Sequence, residues 1–404
     1  MKKESLPVGR PSVLRRTNAL SILGLLRESE TLSRADLVRA TGLSAPTVTN
    51  VVYDLISSGL VEPLGGGESS GGRPPDMIRF RTEHGCILAV DITATGVSLL
   101  LTDLNGSKPE TLRFLFGNRK TTPGAVCRYI AESLRTLLQK QKKTKEQLKA
   151  VVVGVPAITN VADGVVLSIS TLSEWRSVPL RRMFNEFVDC LVIIENDTNL
   201  AALGEQHRGV AQSERDFVYI SLDANIGAGI ILDGKIHHGS QWSAGEIAYL
   251  RLPSLSRKHP TLHEFGEMET ILTSSGILRS WQEMSKKTRN GAKGAAEEID
   301  VAQILNLAQA GDPCAEEIVL QRASMVSDIV VNLSLILNPS LVVLGGRVGS
   351  HPILIHSIRK QLQENEFAVP QIIAGALGQN AVLWGGISLA LEAIPSVLLP
   401  LPAI

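Results

Sequence analysis

The chain has 404 residues, 44% hydrophobic and 20% charged, with 40 basic and 40 acidic side chains. This length calls for two to three globular domains, and a formal net charge of zero excludes a wholesale basic surface, so any nucleic-acid site must be local. Cys86, Cys127, Cys190 and Cys314 are scattered without CxxC spacing, which argues against a disulfide framework or a thiolate zinc site and fits a reducing cytosol. No apolar stretch follows Met1-Lys2-Lys3, and the run Pro395–Ile404 is short and broken by Pro400 and Pro402. Neither a leader nor a membrane span is therefore expected, and the expected location is cytoplasmic.

Leu20, Ile22, Leu23, Leu25 and Leu26 predict a first amphipathic helix. "SRADLVRATG" (33–42) predicts a second, with Ser33 as N-cap, Asp36 three residues on and Gly42 as the stop. In "LSAPTVTNVVYDLISSG" (43–59) Ser44 caps a third helix and Pro46 sits in its first turn. Val48, Val51, Val52, Leu55 and Ile56 form its buried stripe, leaving Thr47, Thr49, Asn50 and Tyr53 on the other face. Two short helices joined by a Gly-containing turn, the second with small polar residues near its start, make a helix-turn-helix able to present hydroxyls and an amide to base edges.

"LVEPL" (60–64) and "MIRFR" (77–81) alternate like strands around the Gly-rich "GGGESSGGRPP", which carries Arg73. This is the outline of a wing whose Arg reaches a phosphate or a narrow minor groove. The plainer alternative is a linker beside a polar three-helix unit. The adjoining wing and the basic leader (Lys2, Lys3, Arg10, Arg15, Arg16 against Glu4) favour DNA. Arg34, Ser44, Thr47, Thr49, Asn50, Tyr53 and Arg73 are the candidate contacts, in a domain expected over 1–82.

Beyond it, "CILAVDITATGVSLLLTDLNG" (86–106) reads as strand, turn at Thr93–Gly96, strand. A helix around Ala125–Gln139, the strand "LKAVVVGVPA" (148–157) and the strand "LVIIEND" (191–197) follow, the last running into the helix "TNLAALGEQHRG". The same grammar recurs in "FVYISLDANIGAGIILDGKI" (217–236) and "PSLVVLGGRVG" (339–349). Two similar α/β lobes with a cleft between them are expected, with Asp91, Asp197 and Gly345-Gly346 at strand ends where such folds hold ligands.

The helix-turn-helix with its "GGRPP" exit, "VDITAT", "ENDTNLAALGE", "NIGAGIILDG", "SAGEIAYL", "LNPSLVVLGG" and "AVLWGGISLAL" occur in an order and spacing that resembles the ROK proteins (repressors, open reading frames, kinases), in particular the repressor branch with an N-terminal winged helix. The resemblance covers nearly the whole chain. It implies an α/β, actin-like and hexokinase-like domain over 83–404, with one lobe over about 83–205 plus the C-terminal helix and the other over about 206–380. The family's kinases phosphorylate sugars with ATP; its repressors use the same cleft to sense sugars.

Departures from the kinase pattern fall on the nucleotide side. Where the kinases carry Asp-x-Gly-Gly-Thr, this chain has Asp91-Ile92-Thr93-Ala94-Thr95, and added β-carbons oppose close backbone approach to phosphates. Where Gly-Thr-Gly-x-Gly is usual, it has Asp223-Ala224-Asn225-Ile226-Gly227. A like charge ~4 Å from a triphosphate costs about 4 kcal/mol at an effective dielectric near 20. The family's zinc cysteines are absent from "HPTLHEFGEMET" (259–270), Tyr249 stands at the zinc histidine's position, and His259 and His263 read as surface-loop residues. No metal or cofactor is expected.

On the sugar side the resemblance implies ligand contacts from Asn196, Asp197, Glu246 and Glu269, with Tyr249 altering one wall and Thr171 standing where an Asn is usual. Structural capping or surface charge is the alternative for Glu246 and Glu269. Trp175 reads as a buried anchor rather than a sugar-stacking residue, and Gly345-Gly346 as a site of tight backbone packing. The expected function is a DNA-binding repressor with a sugar effector, operator DNA as partner, a homodimeric or higher assembly, and Asp197 as a vestigial base. The alternative is an ATP-dependent sugar kinase with a fused DNA-binding domain.

Overall fold

The computed structural model describes residues 11–66, 76–169, 172, 174–252, 255, 266–288, 299–363 and 369–400. Arg73, Thr171, His259 and His263 lie outside these residues, so the expectations attached to them are not addressed by the structure.

Three helices, α1 (Pro11–Glu28), α2 (Arg34–Thr41) and α3 (Ala45–Ser57), and three strands, β1 (Leu32–Ser33), β2 (Val61–Gly66) and β3 (Asp76–Phe80), form the N-terminal unit, with sheet order β1-β3-β2. The local chemistry read from the sequence sets the helix ends. Ser33 Oγ accepts from Asp36 N while the Asp36 carboxylate accepts from Ser33 N at 2.8 Å, a capping box. Gly42 closes α2 in the left-handed region at φ 69°, and Ser44 Oγ accepts from Thr47 N to start α3. Ile22, Leu23, Leu26, Leu37, Val48, Val52 and Ile78 are buried between these elements.

The first lobe contains β4 (Cys86–Ile92), β5 (Gly96–Asp103), β6 (Glu110–Leu115), α4 (Pro123–Lys140), β7 (Leu148–Val155), β8 (Ile158–Asn160), β9 (Val165–Ser168), β10 (Arg176–Val178), α5 (Leu180–Phe184), β11 (Leu191–Asn196) and α6 (Asp197–Arg208). The second contains β12 (Phe217–Leu222), β13 (Ile226–Leu232), β14 (Lys235–Ile236), α7 (Glu267–Leu272), α8 (Ser274–Thr288), α9 (Val301–Gln309), α10 (Pro313–Leu337), β15 (Leu341–Gly345), α11 (Gly346–Gly349), α12 (Pro352–Leu362) and β16 (Gln371–Ala374). The C-terminal helix α13 (Ala381–Leu398) follows and runs through Pro395.

The recurring grammar is a repeated topology. The sheets have orders β6-β5-β4-β7-β11 and β14-β13-β12-β15-β16, each with two antiparallel pairings followed by two parallel ones. The sequence offered no strand at 110–115; β6 has an alternating half-buried pattern that marks it as a sheet edge.

α6 and α13 lie side by side between the two sheets, α6 touching β12 and β13 and α13 touching β4 and β7. Their crossing depends on glycine: a Cβ on Gly204 would overlap the Ala381 carbonyl, and one on Gly385 the Leu200 carbonyl. α10 and the stretch 378–398 are long and apolar enough to pass a length-and-composition test for a membrane span. Here their apolar faces enter the hydrophobic cores, α10 through Ile318, Val319, Val326 and Val330 and α13 through Leu383, Ile387, Ala390 and Ile394. The far end of α13 reaches α1, where Arg16 Nε donates to the Leu399 carbonyl at 2.7 Å.

Candidate functional site

A cavity of about 480 Å³ opens between the lobes, at the ends of β4, β11, β12 and β13. Asn196, Asp197, Glu246, Tyr249 and Glu269 all line it, together with Thr93, Ala94, Asp223, Asn225 and Trp242. All five residues expected on the sugar side therefore meet in one space, although they span 196–269 in the chain.

Asp197 is the first residue of α6, where the helix dipole and unpaired amides favour a carboxylate. Asn196 fixes that helix start: its Oδ1 accepts from Thr198 N at 2.8 Å and Asn199 N at 3.1 Å, and its Nδ2 donates to the Ala157 carbonyl at 3.1 Å. The Asn196 amide is thus mostly engaged as a cap and strut, with one N–H left over for a ligand. Thr198 Oγ1 donates to Asp197 Oδ1 at 3.1 Å.

The carboxylates are poised to take up protons near neutrality. Burial pushes Asp197 up to about 6, against the opposing hydrogen bonds from Thr198. Burial, then the neighbouring Asp197 and Glu269 charges, push Glu246 up to about 7. Burial pushes Glu269 up to about 7 against a hydrogen bond from the Gly266 amide. Asp91, at the end of β4, is pushed up to about 7 by burial and then by Asp197. Its Oδ1 is buried with no hydrogen-bond partner among the described residues. With Asn196, Asn225, Thr93 and Ser275 beside the carboxylates, the cavity offers a mixed set of acceptors and donors that ligand hydroxyls would satisfy. Among the described residues, no three His, Cys, Asp or Glu side chains are grouped to hold a metal ion.

The segments that depart from the kinase pattern, Thr93–Thr95 and Asp223–Asn225, line the same cavity. The β4–β5 turn is closed by Thr93, whose N donates to the Gly96 carbonyl at 2.9 Å and whose Oγ1 accepts from Gly96 N at 3.2 Å. Asp223 is not the bare charge its sequence position suggested. Arg347 Nε approaches its two carboxylate oxygens at 3.0 and 3.1 Å, and Ser274 Oγ donates to it at 3.1 Å. The pairing largely cancels the repulsion argument, although Arg347 itself stays largely exposed. Gly345-Gly346, beside it, packs tightly: a Cβ on Gly345 would overlap the Tyr219 ring and one on Gly346 the Leu222 carbonyl.

Several features were not visible in the sequence. Glu195, fully buried beside Asn196, pairs through Oε2 with His238 Nε2 at 2.7 Å, which raises the His238 pKa. Trp242 from the same loop as His238 lines the cavity. Trp175, by contrast, is the buried anchor expected from the sequence, with its Nε1 donating to the Thr121 carbonyl at 2.7 Å. Only the distance in sequence between Glu195 and His238 hid their pairing.

On the N-terminal unit, Thr49, Asn50 and Tyr53 are exposed on α3, Tyr53 at 70%. Ser44 and Thr47 are partly committed to the cap, their hydroxyls 2.8 Å apart. Arg34 leans toward Asp76 at 3.6 Å. A groove beside this face is lined by Leu14, Arg15, Asn18, Thr47, Asn50 and Tyr53, with Arg15 paired to Asp54 at 2.6 Å.

Residues 87–393 match the ROK family model, three quarters of the chain, and residues 17–65 match the IclR helix-turn-helix domain model. The chain belongs to the ROK family. This ROK protein is 25% identical over 395 residues to the xylose repressor of Caldicellulosiruptor bescii, covering 95% of this chain and 98% of that one. Its fold matches a solved ROK family transcriptional regulator, described as a homologue of the E. coli Mlc protein, with a TM-score of 0.78 at 22% identity, covering 96% and 98% of the two chains. A ROK family glucokinase from Streptomyces griseus, solved with glucose and AMPPNP, matches with a TM-score of 0.64 at 24% identity, covering 76% of this chain and 99% of that one. The regulators thus align along the full length of this ROK protein, whereas the kinase aligns with about three quarters of it.

Proposed function

We propose that this ROK protein is a transcriptional repressor in which the kinase-like cleft senses a sugar and does not phosphorylate it. The observation that carries the reading is the contrast within one cavity. Asp197, Glu246 and Glu269 line it on the sugar side, while across it Asp223 is already paired with Arg347 and Thr93 closes its own turn. Phosphoryl transfer depends on cradling and neutralising a triphosphate, and these residues offer neither an amide nest nor an unpaired cation. The full-length similarity to a xylose repressor supports the same choice.

In this reading residues 1–82 form the DNA-binding domain and 83–404 the sensor. Thr49, Asn50 and Tyr53 meet base edges in the major groove, with Ser44, Thr47 and Arg34 setting the helix and its flank. Asn196, Asp197, Glu246, Tyr249 and Glu269 hold the sugar, Asp197 accepting a hydrogen bond from the hydroxyl that a kinase would deprotonate. No cofactor or metal takes part. The protein works in the cytoplasm as a homodimer on a palindromic operator, for which exposed Leu335 and Ile336 at the end of α10 offer apolar contacts.

A coupled ADP-release assay with ATP and a panel of hexoses and pentoses tests the sensor reading. No turnover above background is expected, alongside thermal stabilisation by at least one sugar. Turnover that Asp197→Asn abolishes would establish a kinase instead.

A further inference from the structure

Trp242 lies in the segment after β14, and its half-buried indole lines the cavity with Asp197, Glu246, Tyr249 and Glu269. Its backbone takes φ 61°, a left-handed conformation that a bulky residue keeps only when its surroundings hold it. His238 supplies part of that hold: the two rings meet edge to face, centroids 5.4 Å apart and planes at 67°. His238 Nε2 pairs with Glu195 Oε2 at 2.7 Å. Glu195 Oε1 in turn accepts from Asn196 N at 2.8 Å and from Asn199 Nδ2 at 2.9 Å. One chain of contacts therefore joins the helix start that carries Asp197, in the first lobe, to the tryptophan loop of the second.

The charge of the lining is one-sided. Asp197, Asp223, Glu246 and Glu269 border the cavity, and no Lys, Arg or His does so among the described residues. Asp223 is already paired with Arg347, so the remaining three carboxylates face the ligand without a cation among them.

We propose that Trp242 is the stacking platform for the ligand ring, positioned by His238, and that the cavity selects a neutral monosaccharide in its pyranose form over a sugar phosphate. A pyranose presents hydroxyls around its rim and C–H groups on its faces, so carboxylates can take the rim while an indole takes a face. A phosphate ester would bring a further negative charge beside three carboxylates with no counter-charge. The proposal rests on the sugar-sensing reading and adds to it the ring contact and the charge class.

The test uses the full-length protein, titrated with D-xylose, D-glucose and D-glucose 6-phosphate by calorimetry and by tryptophan emission. At least one neutral sugar is expected to bind and to change the emission, and the phosphate ester to bind at least tenfold more weakly. Trp242→Phe keeps a ring and should retain affinity within about threefold while losing the emission change; Trp242→Ala should weaken binding about tenfold. His238→Ala should also weaken binding, and His238→Gln, which can still donate to Glu195, should recover part of the loss. Unchanged affinity in Trp242→Ala, an emission change that survives Trp242→Phe, or preference for the phosphate ester would overturn the assignment. Absence of binding heat with both neutral sugars in the wild-type protein would instead defeat the underlying sugar-sensing reading, and the stacking role with it.

Discussion

Replacing Asp197 by Asn keeps the shape of the α6 start and an acceptor for Thr198 but removes the charge that a ligand hydroxyl meets. Hydrogen bonds to charged groups contribute about 1.5–3 kcal/mol, so calorimetry on Asp197→Asn should show sugar affinity lowered roughly ten- to a hundredfold. Unaltered affinity would remove Asp197 from the site. Asp91 gives a second handle, coupled to the first. Its pKa of about 7 in the folded protein lies above the ordinary carboxylate value near 4, so between those values the folded chain binds a proton that the unfolded chain has released. Its favourable contribution is complete at pH 4 and is lost as pH rises through about 7. Asp91→Asn should therefore raise the melting temperature at pH 8 and change it little at pH 4.5, within a cluster that titrates jointly with Asp197. An equal shift at both pH values would contradict this. Asp197 was legible as a candidate from its strand-to-helix junction, whereas Glu246 and Glu269 came into view only through the family resemblance. His238 and Arg347 were not legible, because their partners lie 43 and 124 residues away in the chain, and Trp242 gains its meaning only through His238 and the cavity.

At the scale of elements, α3 carries the DNA reading. Its capped start and buried Val48–Val51–Val52–Leu55 stripe turn Asn50 and Thr49 outward on a rigid helix. An amide that pairs with an adenine edge contributes about 1–3 kcal/mol of discrimination. Asn50→Ala should weaken binding to the native promoter fragment by about tenfold or more in fluorescence anisotropy, while the dependence on salt keeps its slope, since no phosphate contact is lost. Promoter binding equal to wild type would refute this role. The ends of α2 and α3 were readable residue by residue, since caps are made by neighbours in sequence: Ser33 with Asp36, Gly42, Ser44. The α6–α13 pairing was less so. Its helices were visible, but the contact between Gly204 and Ala381, and between Gly385 and Leu200, joins segments some 180 residues apart.

For the whole molecule, the order of the elements suggests how a ligand could act at a distance. Asp197 begins α6; α6 packs along α13 between the two sheets; and the end of α13 meets α1 through Arg16 and Leu399. In the proposed reading, a sugar that drew the second-lobe loop of Glu246 and Trp242 toward Asp197 would change lobe closure about this central helix pair, and with it the seating of the DNA-binding unit. The sugar shifts the protein between states only by the difference in its affinity for them, and DNA must oppose sugar binding by the same factor. The two-lobed architecture was legible from the repeated strand–turn–strand grammar, whereas this continuity from cleft to α1 depends on packing that sequence order does not reveal. The most direct measurement is a fluorescence-anisotropy titration of the native promoter fragment, with and without a saturating sugar that calorimetry has shown to bind. The wild-type protein should bind the fragment and lose about tenfold or more of its affinity with sugar, while Asp197→Asn binds the DNA equally well and fails to respond at the same sugar concentration. DNA affinity that is indifferent to a sugar bound in the cleft would contradict the account.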